Sequence, residues 1–347
     1  MTDRENRMNK GTAQKRSVLM ICASFFGYDK RICRALQDEG YEVDLVDEKP
    51  NSSFVAKACI RYNVGAYRPV IKKYIKSISA KNGTKQYDYV FVVKGEAINE
   101  DALMLLRDAY PKAKFILYLW DAVSNIPDCE TRMEKYDRVL TFDPQDAKEY
   151  GIAHRSLFFG KEYESAPSEN RQLEYDFSFI GTAHTCRPRI VNELGKNRLE
   201  RGRKYFSFLY LPHPLVFAYN KALNRDYAAV KKSDISFAPM SAAEIKAVYS
   251  KSKCILDVEH QKQRGLTMRT IELVGMQKKI ITTNPMVKEY DFYNPANICV
   301  IDRQNPVVEE SFWDLEYEPV PQQILDKYSI KAFVREIFDL KETEYGK

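Results

Sequence analysis

A helix start that follows a buried apolar run offers the clearest chemistry in the sequence. The run Cys254-Ile-Leu-Asp-Val leads through a polar loop to Gly265, and a helix is predicted to begin near Thr267. Backbone N–H groups and the positive end of the helix dipole bind anions at such a start. Arg269 adds a planar guanidinium that fits phosphate oxygens, and Glu272, on the same face, can accept hydrogen bonds from a ribose diol. The pattern predicts a nucleoside-diphosphate site.

Two more residues are assigned to this nucleoside-diphosphate site, which we call the donor site. A simpler interpretation of the same residues also stays open. Leu266 lies within the predicted helix start, and His260 lies in the loop before it as a candidate polar contact. In the simpler interpretation, Thr267 is an ordinary helix N-cap, while Arg269 and Glu272 form a surface ion pair. The position after a buried strand favours the functional interpretation.

A second stretch places a glycine turn between a strand and a helix. Asp176-Phe-Ser-Phe-Ile is predicted to be a strand, and Gly181 after it allows a ligand to approach the backbone closely. Thr182 and Arg187 are predicted to reach the same diphosphate, and Pro188 suits the first turn of the next helix. The alternative is a tight turn followed by solvated arginines.

The first half of the chain offers acceptor-binding and base candidates at predicted strand ends. Gly27 and Tyr28 belong to a loop expected to close on an acceptor. Glu96 and Asp121 each offer a carboxylate that can take a proton from an acceptor hydroxyl, and we favour Asp121. Alternatively, Glu96 is an acid at a helix start, and Asp121 caps its own loop. The sequence contains neither a G-x-G-x-x-G nor a Walker A motif, which disfavours a dehydrogenase or a kinase.

Metal ligation and disulfides are not indicated. The four histidines have no metal-binding spacing, and the chain lacks the Asp-x-Asp triplet that holds a divalent metal on diphosphates. We therefore expect neither metal nor cofactor, with a nucleoside diphosphate sugar as the donor substrate. The seven cysteines are scattered without a C-x-x-C pair, and the first residues lack an apolar signal core, so we expect a cytoplasmic protein.

Predicted strands alternate with predicted helices along the chain, which indicates two Rossmann-like, doubly wound α/β domains facing a cleft. We assign residues 16–160 to an N-terminal acceptor domain and residues 175–318 to a C-terminal nucleotide-sugar domain. Residues 319–340 are predicted to form a helix that returns to the first domain. Ligands of such sheets bind beyond the carboxyl ends of the strands, where the candidates above fall.

One segment of the first half is strongly basic. Residues 57–85 contain lysines and arginines interleaved with apolar residues and have no acidic residue. The pattern predicts contact with an anionic surface, such as the inner face of a membrane or a lipid-linked pyrophosphate. The alternative is a solvated charged face above an ordinary core stripe. No nucleic-acid-binding motif is present, so we expect no nucleic-acid partner.

The order of these parts resembles the GT-B glycosyltransferases of bacterial surface-polysaccharide biosynthesis, particularly the group-1-like, CgeB-type branch. The likeness covers nearly the whole chain. It comprises a strand end in the first half (Tyr118 to Asp121), an F-I-G-T…R block (Phe179 to Thr182, Arg187) and an S-K…I-L-D…G-L-T-x-R-x-x-E…G block (Ser252, Lys253, Ile255 to Asp257, Gly265 to Thr267, Arg269, Glu272, Gly275).

The resemblance implies a nucleotide-sugar donor bound by the second domain, a saccharide or lipid-linked acceptor bound by the first, and no metal requirement. It also implies that the last helix packs back on the first domain. The chain departs from the common E-x7-E pattern, because Arg264 stands where the first Glu is expected. Two alternatives stay open: a sugar-nucleotide epimerase of the same architecture, and a basic membrane- or nucleic-acid-binding protein without catalysis.

Overall fold

The computed structural model describes residues 15–50, 59, 65–164, 173–260 and 264–339. The chain forms two compact units. The first consists of Met1–Ser156 and Ile330–Lys347, and the second of Leu157–Ser329. Each contains one parallel six-stranded sheet flanked by helices, so the expected α/β class with two Rossmann-like halves is confirmed.

The sheet of the first unit has the strand order β2-β1-β3-β4-β5-β6, with every pair parallel. Its central strands are continuous apolar runs because helices cover both faces, and Val18–Ile21 are fully buried. The strands are β1 (Ser17–Cys22), β2 (Glu42–Val46), β3 (Tyr89–Val93), β4 (Lys114–Leu119), β5 (Arg138–Thr141) and β6 (Ala153–His154). The helices are α1 (Tyr28–Asp38), α2 (Arg68–Asn82), α3 (Glu100–Ala109), α4 (Cys129–Met133) and α5 (Pro144–Tyr150).

The sheet of the second unit has the order β12-β11-β10-β7-β8-β9 and is also parallel throughout. Its strands are β7 (Tyr175–Thr182), β8 (Tyr205–Tyr210), β9 (Ile235–Ser236), β10 (Ser252–Asp257), β11 (Lys279–Thr282) and β12 (Ile298–Val300). Its helices are α6 (Arg187–Glu200), α7 (Pro214–Leu223), α8 (Ala242–Ser250), α9 (Met268–Gly275), α10 (Glu310–Asp314) and α11 (Gln322–Lys327).

The prediction of a single helix over residues 319–340 is wrong, because the described part of this stretch forms two helices. Helix α11 ends before Tyr328, and α12 (Ile330–Ile337) follows. Between them the Tyr328 carbonyl accepts the Phe159 N–H at 2.9 Å, and Ser329 pairs with Phe159. Helix α11 belongs to the second unit and α12 to the first.

Helix α12 lies on the first sheet through aromatic and ionic contacts. The Phe333 ring lies 4.8 Å from that of Tyr118, centroid to centroid, and Phe333 is fully buried. On the same helix, Glu336 forms an ion pair with Arg155, whose Nε lies 3.1 Å from Oε2. The first unit is therefore built from both ends of the chain.

The described part of the basic segment has its isoleucine side chains turned inward, while Val70 is exposed. In α2, Ile71, Ile75 and Ile78 are buried in the core of the first unit. Lys72 on the outer side pairs with Asp101 at 3.0 Å. This geometry favours a solvated charged face, while residues 57, 58 and 60–64 lie outside the described residues. Within the described ranges, no helix has the length and apolar character needed to cross a bilayer.

Candidate functional site

The carboxyl edge of the second sheet brings several of the predicted donor residues together. Strands β7 and β10 are neighbours, and they end at Thr182 and Asp257. A Cβ atom on Gly181 would lie 3.2 Å from Nη2 of Arg269, so the absence of a side chain there admits this guanidinium. The Arg269 side chain therefore makes the close approach that was predicted for a ligand at the Gly181 backbone.

Arg187 crosses from the start of α6 to the neighbouring strand. Its Nε donates to the Val258 carbonyl at 2.7 Å, and its Nη1 donates to the Thr182 carbonyl at 3.2 Å. Burial and then the nearby Arg269 lower the pKa of Arg187 to about 10. The side chain is therefore fixed between the two strand ends and stays cationic at neutral pH.

Arg269 shares an aromatic surface with Arg187. The guanidinium carbons of Arg187 and Arg269 lie 5.9 and 5.6 Å from the centroid of the Phe179 ring. Arg269 Nη1 is 3.5 Å from Asp257 Oδ1, which offsets part of the like-charge repulsion. Two cations held on one ring form a site that favours an anion.

The start of α9 is organised by Asp257, a role that the sequence did not reveal. Asp257 Oδ2 accepts hydrogen bonds from the Thr267 and Thr270 hydroxyls at 2.8 and 2.6 Å. Thr267 is also the N-cap and accepts the Thr270 N–H at 3.1 Å. The simpler interpretation therefore holds for Thr267 itself. Arg269 contacts Asp257, and Glu272 lies half-buried on α9.

Two histidines lie beside the arginines. The His184 and His260 rings are 5.7 Å apart, centroid to centroid. Burial, followed by the charges of Arg187, His260 and Arg269, lowers the pKa of His184 to about 4. His184 is therefore neutral at pH 7, mainly because it is buried, and the neighbouring cations add to this effect.

Leu266 and Gly265 take structural positions. The Leu266 side chain is 2 % exposed, so it packs inward. The Gly265 carbonyl accepts from Asn284 Nδ2 at 3.3 Å, which fixes the loop before α9. Glu259 and Arg303 form a nearby ion pair that the sequence did not reveal. The Thr283 hydroxyl also donates a hydrogen bond to Glu259 at 2.6 Å.

The carboxyl edge of the first sheet contains a pocket of about 220 Å³. Gly27 begins α1 at φ 75°, and the Tyr28 side chain packs against Trp120, with the ring centroids 5.6 Å apart. The pocket itself is lined by the residues just before Gly27 and by residues of other strand ends: Ala23, Ser24, Phe25, Asp47, Lys49, Lys94 and Trp120. Tyr28 thus supports the aromatic wall rather than lining the pocket.

Lys94 links the two candidate bases. Its Nζ lies 3.4 Å from Glu96 Oε2 and 3.5 Å from Asp121 Oδ2. Burial raises the pKa of Glu96, but the ammonium groups of Lys94 and Lys49 outweigh it and leave this pKa below its ordinary value. Asp121 Oδ1 accepts from Asn125 Nδ2 at 2.8 Å. Strand-end position therefore predicted correctly that both carboxylates lie at one edge.

Glu48 and Lys49 are additional residues that the sequence did not reveal. Glu48 follows β2 and is fully buried, and neither of its carboxylate oxygens has a hydrogen-bond partner. Its Oε1 lies 3.7 Å from Lys49 Nζ, which also contacts Glu96 at 3.0 Å. Burial above all raises the pKa of Glu48 to about 7. Across the described residues, no cluster of three or more His, Cys, Asp or Glu side chains is arranged to hold a metal ion.

Comparison with solved structures shows which fold this is. The crystal structure of Anabaena Alr3699/HepE in complex with UDP and glucose matches with a TM-score of 0.57 and 10 % identity, over 93 % of this chain and 99 % of that one. The apo form of the lipopolysaccharide outer core galactosyltransferase WaaB gives 0.53 and 12 %, over 93 % and 99 %. The chain has the GT-B fold.

The same fold occurs in the N-terminal domain of Candida albicans trehalose-6-phosphate phosphatase, with a TM-score of 0.55 and 9 % identity over 93 % of this chain and 96 % of that one. No protein-family model and no curated protein sequence matches the chain. At these identities the likenesses establish the GT-B fold and leave the activity to be argued from the site.

Proposed function

We propose that this GT-B protein transfers a sugar from a nucleoside diphosphate sugar to a saccharide or lipid-linked acceptor. The observation that supports this most is the pair of guanidinium groups, Arg187 and Arg269, held over one Phe179 ring at the carboxyl edge of the second sheet. This edge is where ligands of parallel sheets bind.

The charge of this edge suits a diphosphate. Three guanidinium groups (Arg187, Arg269, Arg303) lie at this edge, two of them in contact with the carboxylates of Asp257 and Glu259. When the glycosidic bond to the diphosphate breaks, negative charge grows on the departing oxygen. Fixed cations that already point at that position stabilise the transition state more than the ground state. We assign this role to Arg187 and Arg269 rather than to a metal ion.

The names of the structural neighbours support a nucleotide-sugar donor. HepE is seen in complex with UDP and glucose, and WaaB is a lipopolysaccharide outer core galactosyltransferase. Together with the sequence blocks around Gly181 and Arg269, these neighbours support a role in surface-polysaccharide synthesis.

The pocket of the first unit is proposed as the acceptor site. Trp120 and Phe25 offer aromatic faces for a sugar ring, and the charged side chains beside them can hydrogen-bond its hydroxyls. The acceptor oxygen attacks the anomeric carbon, the nucleoside diphosphate departs with the bonding electrons, and a carboxylate takes the hydroxyl proton. We assign this proton to Asp121, because the Glu96 side chain is only 5 % exposed and contacts two lysines.

The donor site is tested by isothermal titration with UDP, GDP and CDP. One nucleotide is expected to bind the parent protein, and Arg269→Ala is expected to weaken it about tenfold to a hundredfold, since hydrogen bonds to charged groups are lost. Arg203→Ala is the matched control, because Arg203 is exposed and precedes the amino end of β8, at the opposite edge of the sheet. If none of the three nucleotides binds the parent protein, the proposal is wrong.

Product analysis separates transfer from epimerisation. With the donor sugar alone, an epimerase forms a second nucleotide-sugar, whereas a transferase needs the acceptor before free nucleoside diphosphate accumulates. Asp121→Asn is expected to lower the transfer rate while leaving the nucleotide affinity unchanged. Asp121 lies in the first unit, whereas the proposed nucleotide site lies in the second.

A further inference from the structure

Helix α7 presents its apolar residues outward. Leu215, Tyr219 and Leu223 are 72 %, 66 % and 69 % exposed, and Val216 beside them is 37 % exposed. Positions four residues apart lie on one face of a helix, so these side chains form a continuous stripe. We call these four residues the α7 stripe.

The opposite face of α7 is attached to the second unit by polar and aromatic contacts. Asn220 Nδ2 donates to the Tyr227 hydroxyl at 3.2 Å, and Lys221 Nζ donates to the Tyr227 carbonyl at 3.0 Å. The Phe217 ring lies 6.4 Å from that of Tyr227. The helix is therefore held in one orientation, with Phe217 against the core of the second unit and the α7 stripe outward.

The helix is formed before it meets a partner. Pro214 is at its first turn, and the His213 side chain caps it by accepting the Leu215 N–H at 3.1 Å. A preformed element loses little conformational entropy on binding, so its exposed side chains are available for contact at low cost.

Exposed cations follow the α7 stripe in the chain. Arg225, Lys231 and Lys232 are all exposed. The acidic groups among them are engaged locally, since Asp226 pairs with Arg189 at 2.9 Å and Asp234 accepts the Lys231 N–H at 2.8 Å. An apolar stripe with a tyrosine and a basic flank matches the composition of helices that lie in the headgroup region of anionic bilayers.

We propose that α7 docks the protein on an anionic phospholipid surface. The area of the stripe favours this partner over a second copy of the chain. A ten-residue helix with four apolar side chains exposes on the order of a few hundred Å², whereas a standard protein interface takes about 800 Å² from each partner. A bilayer needs only a few inserted side chains and neighbouring cations. Helix α2 is unsuited to the same role, because its isoleucines are buried.

The test is flotation of the full-length protein with vesicles made of equal parts phosphatidylglycerol and phosphatidylcholine, and with vesicles of phosphatidylcholine alone. The parent protein is expected to float with the anionic vesicles and less with the neutral ones. Leu215→Ser with Leu223→Ser is expected to reduce flotation at least about tenfold, because two inserted leucines are lost.

Matched controls separate the stripe from apolar or basic residues elsewhere. Leu199→Ser with Val307→Ser removes two exposed apolar side chains outside α7, 57 % and 58 % exposed, and is expected to leave flotation unchanged. Lys231→Gln with Lys232→Gln is expected to reduce flotation. Lys73→Gln with Lys76→Gln in α2 is expected to leave flotation unchanged. All variants change exposed side chains, so equal urea midpoints are expected to show an intact fold.

Three results overturn the proposal. The first is failure of the parent protein to float with anionic vesicles. The second is an equal loss of flotation in the Leu199/Val307 control. The third is a dimer, seen by light scattering without vesicles, that the Leu215/Leu223 variant dissociates, which identifies the stripe as an interface between copies.

Discussion

The buried carboxyl of Glu48 contrasts with the other acidic side chains around the first-unit pocket. Asp121 and Glu96 share Lys94, and Glu96 also contacts Lys49. Glu48 lies beneath them with only a longer contact to Lys49, at 3.7 Å, and with both oxygens lacking a hydrogen bond. Because burial disfavours the charged form, ionisation of Glu48 opposes folding.

Glu48→Gln is therefore expected to stabilise the protein in a pH-dependent manner. The pKa of Glu48 rises from about 4.5 when unfolded to about 7 when folded, so its favourable contribution is complete below pH 4.5 and is lost as the pH rises through 7. The amide does not ionise. Urea unfolding is expected to show a gain on the order of 3 kcal/mol at pH 8 and almost none near pH 4.5.

The matched control for this comparison is Glu134→Gln, an exposed carboxylate of the same unit. Its stability is expected to track that of the parent protein at both pH values. A Glu48→Gln variant that is less stable than the parent at pH 8 would show that the ionised carboxylate is held favourably, contrary to this expectation.

At the same scale, strand-end position predicted which residues meet, but not what each one contacts. Gly181, Arg187 and Arg269 converge because parallel strands end at one edge. The contacts of Asp257 with Thr267 and Thr270 depend on how the polar loop folds back, and no spacing rule describes that path. Glu48 was missed because a charged residue after a strand is ordinarily solvated.

Among the elements, helix α12 makes the first unit depend on the far end of the chain. The rings of Phe333 in α12 and of Phe338 just after it lie against aromatic residues of two strands of the first unit, β3 and β4. The centroid distances are 4.8 Å from Phe333 to Tyr118, and 5.0 and 5.4 Å from Phe338 to Tyr89 and Phe91. Large aromatic contacts of this kind contribute strongly to core stability.

Phe333→Ala is expected to destabilise the first unit by about 3–5 kcal/mol, since it removes a fully buried ring. The measurement is urea unfolding followed by Trp120 fluorescence in a Trp313→Phe background, which leaves one tryptophan, in the first unit. Lys331→Ala, an exposed change in the same helix, is expected to shift stability by less than about 0.5 kcal/mol. Equal effects of the two substitutions would argue against packing as the cause.

Two elements show where helix prediction from the sequence fails. Residues 319–340 have one helical apolar pattern, yet the helix is interrupted at Tyr328. The carbonyl of Tyr328 accepts a hydrogen bond from Phe159, a distant residue that local periodicity does not include. Helix α7 was not predicted, because four of its apolar residues face solvent while Asn220 and Lys221 donate hydrogen bonds to Tyr227. Pattern rules assume the opposite orientation.

At the scale of the whole molecule, each unit contains its own tryptophan. Trp120 lines the pocket of the first unit, and Trp313 is buried in the core of the second. Single-tryptophan variants, Trp120→Phe and Trp313→Phe, therefore report the unfolding of one unit each.

A bound nucleoside diphosphate is expected to stabilise the second unit. At a ligand concentration about a hundred times Kd, the gain is about 2.7 kcal/mol, because only the folded site binds. The Trp313 transition, followed in Trp120→Phe, is expected to move to higher urea, and Arg269→Ala is expected to remove the shift. A shift seen by Trp120 and absent from Trp313 would place the nucleotide in the first unit.

The return of α12 to the first unit also sets an order of events during synthesis. A ribosome releases the chain from its amino end at about 5–20 residues per second. All of Leu157–Ser329 therefore emerges before Phe333 and Phe338 can cover the aromatic side of the first sheet. For a period on the order of ten seconds or more, the nascent first unit exposes Tyr89, Phe91 and Tyr118, while the residues of the second unit are already available to fold.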